Sequence, residues 1–394
     1  MNERIMILGA SFDQIPMIAK ANAMGLYVIA VDGNPQAPGF SIADETHTIE
    51  VMETDRILAL AQKRKIDGIT TMVSNLGMRT VAEVSKVLGL TAIAPDAAKM
   101  ATDKTIIKSE LEKAGVPVPV GLQVSTSDEA LEKADQFTFP VIVKPADGTK
   151  GRGIARADDA QTLHRAVENA LTFSPGRTIV IEELIEGPTV GAEGLVIDGT
   201  FQPVLLTDKF NTEPPHFVTL GLTTPSNLPK DVQKRVGDTA ARVAETLRMT
   251  TGAGHIDMVI DTDGTPKVID VGPRLASGPV IFDFALNLMG VDMIQSVIRM
   301  ALGQKVTLSP SWNGEYGCSR FLSAATPGCM YNIDFPSING DFSFYPYKVL
   351  GQPVTEPESD TDRIGCITIT ATTYEAAIQK ADALLAKTQV DILA

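Results

Sequence analysis

Between residues 4 and 88 the chain alternates short apolar runs with amphipathic stretches, and this alternation restricts its start to one architecture. Ile5 to Gly9 reads as a strand closing on Gly-Ala-Ser, Gln14 to Met24 has helical spacing, and Tyr27 to Asp32 is a second strand ending on a carboxylate. A third strand fits Thr46 to Val51, a helix Thr54 to Lys63, a fourth strand Gly68 to Val73, and a further helix runs through Leu88. Apolar strands, each followed by a helix, predict a parallel sheet covered on both faces. The first turn, Gly9-Ala-Ser-Phe-Asp, lacks the GxGxxG spacing of dinucleotide-binding turns, so Asp32 fits a turn in a scaffold unit better than a ribose contact.

At 394 residues the chain exceeds what one hydrophobic core organises, so further units are expected. A helix from Asp103 to Ala114 ends at Gly115, and Val116-Pro-Val-Pro-Val-Gly then forces extended chain, which puts a boundary near residue 100. Strand signals at Val141 to Lys144, Thr178 to Glu182, Glu193 to Ile197, Val204 to Thr207, His255 to Ile260 and Lys267 to Val271 have few helices between them. That middle reads as α+β with antiparallel strands. Helices are expected at Asp231 to Leu247, Val291 to Leu302 and Thr373 to Lys387, the last after further strands. The expected division is 1–100, 101–185, 186–300 and 301–394.

Acidic residues outnumber basic ones by 48 to 34, a formal charge of -14, which argues against non-specific binding to nucleic acid or anionic membrane. A small-molecule substrate fits better. The three cysteines, Cys318, Cys329 and Cys366, have no CxxC spacing, so neither a disulfide framework nor a zinc site is indicated and a reducing, cytoplasmic setting is expected. No signal peptide and no membrane span is read.

Three segments carry chemistry. In Phe139-Pro-Val-Ile-Val-Lys144-Pro145-Ala-Asp-Gly148-Thr-Lys-Gly151-Arg-Gly153, a strand delivers a lysine and then a glycine-rich loop. Backbone N–H groups in such a loop close around phosphate oxygens, and Lys144 supplies a point charge, although a plain hairpin with a solvated lysine has the same pattern. In Thr178-Ile-Val-Ile-Glu182-Glu183-Leu184-Ile185-Glu-Gly187-Pro188, an apolar strand end offers backbone groups beside apolar side chains, as an adenine edge requires. In Gly254-His255-Ile-Asp257 and Val-Ile-Asp270-Val-Gly272-Pro-Arg274, two strands bring one carboxylate each. Alternation sets His255, Asp257 and Val259 on one face and Ile256, Met258 and Ile260 on the other. Paired carboxylates suit magnesium, which takes few carboxylates plus phosphate oxygens, whereas His255 fits a structural or substrate-orienting part better than a metal ligand.

Taken in order, Lys104, Val-Lys144-Pro with its glycine loop, Glu182-Glu183-Leu184-Ile185-Glu-Gly-Pro, Lys209, Asp257 and Asp270-Val-Gly-Pro-Arg274 resemble the ATP-grasp superfamily of carboxylate-amine ligases. The resemblance covers the whole chain. It implies a Rossmann-like sheet domain before an ATP-grasp small lid and core, and a small C-terminal α+β region. It also implies ATP and magnesium, with manganese able to substitute, small carboxylate and amine substrates, and a homodimeric assembly. Lys104, Lys144, Gly148, Gly151, Gly153 and Thr189 would then meet ATP phosphates or ribose, and Glu182, Glu183, Leu184 and Ile185 the adenine. Asp257 and Asp270 would hold the metal. Lys209 and Arg274 would act on the transferred phosphoryl group. Glu193, His216, Arg274, Ser277 and Gly278 would border the acceptor pocket, with Glu193 as a candidate for an amino group or as an ordinary strand residue. The family has glutamate where Asp270 stands, asparagine where Gly272 stands and a ribose-binding glutamate where Thr189 stands. The implied reaction is attack of a carboxylate, with an amino acid as one candidate, on the γ-phosphate to give an acyl phosphate that an amine captures. Alternatives are a carboxyaminoimidazole ribonucleotide synthetase-like enzyme of the purine pathway and a nucleotide-binding module without full activity.

Overall fold

The computed structural model describes residues 2–148, 151–213, 216–278, 280–336 and 342–393. The chain opens with β1 (Arg4–Leu8), α1 (Ile15–Ala23), β2 (Tyr27–Asp32), β3 (Glu45–Thr48), α2 (Thr54–Arg64), β4 (Gly68–Thr70) and α3 (Asn75–Leu88). The strands form the expected parallel sheet in the order β3-β2-β1-β4. Ile5 to Leu8 have no exposed surface, as a strand covered on both faces requires. Two strands are shorter than the apolar runs that predicted them. β4 stops at Thr70 because its ladder with β1 ends there, at the pair Ile7 and Thr70. Past that point the Thr71 hydroxyl donates to the Leu8 carbonyl at 2.8 Å, and the chain turns into the Ser74 cap of α3.

After α4 (Pro95–Met100) and α5 (Lys104–Lys113) comes a smaller unit: β5 (Gly121–Val124), α6 (Ser127–Glu132), β6 (Val141–Pro145), β7 (Ala155–Ala157), α7 (Ala160–Thr172) and β8 (Ile179–Glu183). Its antiparallel sheet runs β5-β8-β6-β7 and has a core of its own, from Val124 to Ile181. Helix α5, expected to open this unit, does not belong to that core. Its Ile107 and Leu111 are buried among Val232, Val236 and Ala240 in the large core, because its apolar positions face the helix that follows residue 229.

The large sheet is built from β9 (Thr189–Ile197), β10 (Thr200–Asn211), β11 (Thr219–Thr224), β12 (Gly252–Ile260) and β13 (Pro266–Gly272), with α8 (Lys230–Thr246) across it. β10 extends to Thr200 although Pro203 cannot donate to a ladder. The register against β9 shifts between Pro203 and Leu205, and this bulge accommodates the proline. A π turn at Val280–Phe284, which the pattern did not announce, leads into α9 (Ala285–Met289) and α10 (Met293–Ala301). The last elements are β14 (Tyr316–Leu322), β15 (Gly328–Asp334), β16 (Phe342–Pro346), β17 (Pro353–Val354), β18 (Gly365–Ala371), α11 (Tyr374–Lys387) and β19 (Gln389–Leu393). The large sheet has the order β13-β12-β9-β10-β11-β14-β18-β16, so it passes through the division drawn at residue 300. Among the described residues no single helix is long and apolar enough to cross a membrane.

Candidate functional site

A cleft of about 690 Å³ lies between the large sheet and the sheet of the smaller unit and reaches the turns at the end of the parallel sheet. β6 carries Lys144 into it. The Lys144 ammonium donates to Glu182 Oε2 at 2.8 Å on neighbouring β8, with both side chains almost fully buried. Glu182 is shared: Lys108 on α5 stands 3.4 Å from Oε1 and also donates to the Pro119 carbonyl. Lys108 was missed in the sequence, although its place one helical turn after Lys104 was the available signal.

Beyond Glu182 the strand end is already partly bonded. The Glu183 N–H donates to the Val120 carbonyl at 2.8 Å and that of Leu184 to the Pro140 carbonyl at 3.4 Å. Burial acts to raise the Glu183 carboxyl, but the Val120 N–H and Lys267 outweigh it and hold the group below its ordinary value. Leu184 and Ile185 line the cleft. The chain then passes close to β12, where the Ile260 N–H donates to the Pro188 carbonyl at 2.9 Å. A Cβ on Gly187 would stand 1.9 Å from the Ile260 carbonyl oxygen, so only glycine fits.

On the large sheet, Asp257 of β12 and Asp270 of β13 are direct cross-strand partners, and each faces a lysine. Lys104, in the first turn of α5 behind the Asp103 cap, reaches Asp270 Oδ1 at 3.0 Å and the Gly148 carbonyl at 3.4 Å. Lys209 of β10 lies 2.5 and 2.6 Å from the two oxygens of Asp257. His255 bridges two carboxylates: Nδ1 is 2.7 Å from Glu193 Oε1 and Nε2 is 3.4 Å from Asp257 Oδ2. Burial alone would lower the His255 pKa, but Asp257 and Glu193 outweigh it and raise it to about 9. Burial would likewise raise both aspartates. His255 and Lys209 hold Asp257 well below its ordinary value, and Lys104 lowers Asp270. Glu193 Oε2 is buried without a hydrogen-bond partner among the described residues.

Arg274 follows β13 into the cleft. Its Nε donates to Asn75 Oδ1 at 3.0 Å and its Nη1 to the Leu275 carbonyl at 3.1 Å. Gly148, Gly151, Thr189, Glu193 and Ser277 also line the cleft. Three expected site residues are not among its lining. Gly153, at φ +74°, packs where a Cβ would meet Phe173 and Pro145 at 2.9 Å. Gly278 adopts φ +84° beside the Tyr347 hydroxyl. His216 is half-buried outside the cleft, while Glu213 and Phe217 on either side of it do line it. Thr149 and Lys150, the middle of the glycine loop, lie outside the described residues. Asp32 holds its own turn: its carboxylate accepts from the N–H groups of Ala10 and Asn34 at 2.7 and 2.8 Å. Asn75 and Arg363 line the cleft without having stood out in the sequence, because each arrives from a segment distant from every motif, and Asn211, two residues after Lys209 on β10, lines it as well.

Residues 103–309 match the family described as carbamoyl-phosphate synthase L chain, ATP binding domain. An uncharacterized protein y4rH of Sinorhizobium fredii is 27% identical over 328 residues, which is 81% of this chain and 66% of that protein. The carbamoyl phosphate synthase large chain of Thermotoga sp. (strain RQ2) is 30% identical over 242 residues, 60% of this chain and 21% of its own length. The chain thus spans just under two thirds of the first relative and about a fifth of the second. The crystal structure of an L-amino acid ligase from Bacillus licheniformis superposes with a TM-score of 0.86 at 19% identity, covering 100% of this chain and 99% of that one. The fold is that of the ATP-grasp enzymes. With more than half of its length matched, the chain belongs to the carbamoyl-phosphate synthase L chain ATP-binding domain family.

Proposed function

We propose that this protein is an ATP-dependent ligase that activates a small carboxylic acid as an acyl phosphate and couples it to an amine, releasing ADP and phosphate. One observation carries the reading: Lys104, Lys144 and Lys209 converge on a single cleft, and each is paired there with a carboxylate, Asp270, Glu182 and Asp257 respectively. Lysines so held are pre-placed for phosphates, and the carboxylates they would release are oxygen donors of the kind magnesium takes. Among the described residues no three His, Cys, Asp or Glu side chains form a metal cluster. Two carboxylates completed by nucleotide oxygens nevertheless fit a hard divalent ion, so Asp257 and Asp270 would hold magnesium, or manganese in its place. The ion would neutralise phosphate charge.

The remaining roles fall to the chain. Lys144 and Lys104 take the phosphates, the Leu184–Ile185 segment meets the adenine, and Thr189 offers a hydroxyl to the ribose. Arg274 presents a planar fork to the transferred phosphoryl group and the acid, and Lys209 supplies a second positive charge. The buried free oxygen of Glu193 suits an ammonium group. Positioning and charge neutralisation then drive the transfer with no covalent protein nucleophile. ADP formation measured with pooled carboxylic acids and amines tests the reading, with Lys144→Ala and Asp257→Asn expected to lower turnover by at least ~100-fold. ATP binding without turnover in any pool would point to a binding module, and near-normal turnover in either variant would refute the site.

A further inference from the structure

We infer that Asn75, from the parallel-sheet unit, positions Arg274, and that residue 272 is glycine because this contact needs the space; the inference rests on the part given to Arg274 above. Arg274 and Asn75 are 199 residues apart in sequence, and the Nε to Oδ1 bond of 3.0 Å joins the core sheet to the first turn of α3. Asn75 is itself held there, because Ser74 before it caps the helix by accepting the Gly77 N–H at 2.9 Å. With Nε on Asn75 and Nη1 on the Leu275 carbonyl, the plane of the guanidinium is fixed. A guanidinium presents its donors in a rigid planar fork, so a fixed plane also fixes the direction of its other N–H groups. Among the described residues Nη2 donates to no protein group.

Gly272 lies against this contact. A Cβ on it would stand 3.0 Å from Arg274 Nε, 3.1 Å from its Cζ and 3.1 Å from Asn75 Oδ1. A side chain at 272 would therefore crowd both the guanidinium and the amide that holds it, and one or the other would have to give by a few tenths of an ångström. By resemblance alone Gly272 counts as a lost metal ligand. The packing assigns the same space to the Arg274–Asn75 pair, so restoring asparagine there removes an interaction instead of supplying one.

Calorimetry with two probes, ADP alone and ADP with orthovanadate as a mimic of the phosphoryl group in transfer, reads the contact without a known acid substrate. Vanadate is expected to tighten ADP binding in the unaltered protein. Asn75→Ala should cut that gain about tenfold, the scale of one lost charge-assisted hydrogen bond, while leaving the affinity for ADP alone unchanged. Asn75→Asp, which can accept the same Nε–H, should keep the gain, and Gly272→Asn should lose it. An undiminished gain in Asn75→Ala, a larger gain in Gly272→Asn, or no gain in the unaltered protein would overturn the inference. Failure of ADP to bind at all would defeat the ligase reading itself, whereas ADP binding with a vanadate gain indifferent to Asn75 would defeat only the positioning role.

Discussion

The Lys144–Glu182 pair is an almost fully buried ion pair lining the cleft, and its energetics differ from those of an isolated pair because Lys108 also faces Glu182. Removing one partner of a buried pair usually costs about 3–5 kcal/mol by leaving a charge uncompensated. In Lys144→Ala, Glu182 keeps Lys108, so the loss in urea-unfolding free energy is expected at about 1–3 kcal/mol, below that range. Adding Glu182→Gln should lower stability further, since it takes from buried Lys108 the carboxylate that Lys144→Ala left to it. If the double variant is instead more stable than the single one, Lys108 does not compensate Glu182 as assigned. At this scale the sequence was informative wherever a side chain's direction follows from strand period. His255, Asp257 and Val259 do line the cleft, and Ile256, Met258 and Ile260 lie in the core. Period 2 fixes the face but not the partner, so that Lys209, Glu193 and His255 form one network around Asp257 could not be read from spacing.

Among the elements, the segment from β8 to β9 is set by a close backbone approach at a single residue. Gly187 lets the chain pass so close to β12 that its missing Cβ would overlap a backbone oxygen, and backbone cannot swing aside as a side chain can. Gly187→Ala should therefore lower the urea midpoint and weaken ATP binding by roughly tenfold through displacement of Leu184 and Ile185. Calorimetry would check this, and unchanged affinity would mean that the segment does not meet the nucleotide. Strand identity was legible here because apolar runs are short and bounded by Gly and Pro. Strand length was less so: β10 reads through Pro203 by a bulge, and β4 stops early because the Leu8 carbonyl, the next position of β1, accepts from the Thr71 hydroxyl. Both outcomes depend on a neighbouring strand, which no window of sequence contains.

For the whole molecule, the division of cores determines what moves together. Helix α5 follows the boundary expected near residue 100, yet its apolar side chains are buried in the large core with α8 and the parallel sheet, while β5 to β8 close around a separate small core. The sequence placed the break near residue 100, ahead of α5, and missed on which side α5 packs, because an amphipathic face does not name what it covers. Opening free energies follow cooperative units with their own buried apolar contacts, and the smaller unit has the weaker one. In hydrogen exchange read by mass spectrometry, peptides from 121–183 are thus expected to exchange as one group, faster than those from β1, β9 and β12. Peptides from 104–113 should exchange with the slow group, although they adjoin the fast one in sequence. In the proposed site ATP would bridge Lys144 on the small sheet and Lys104 on α5, so it should slow the fast group selectively. If the 104–113 peptides followed 121–183 in rate, or if ATP protected both groups equally, the boundary would lie near residue 100, ahead of α5, and α5 would have to move with the small sheet whenever the cleft opens.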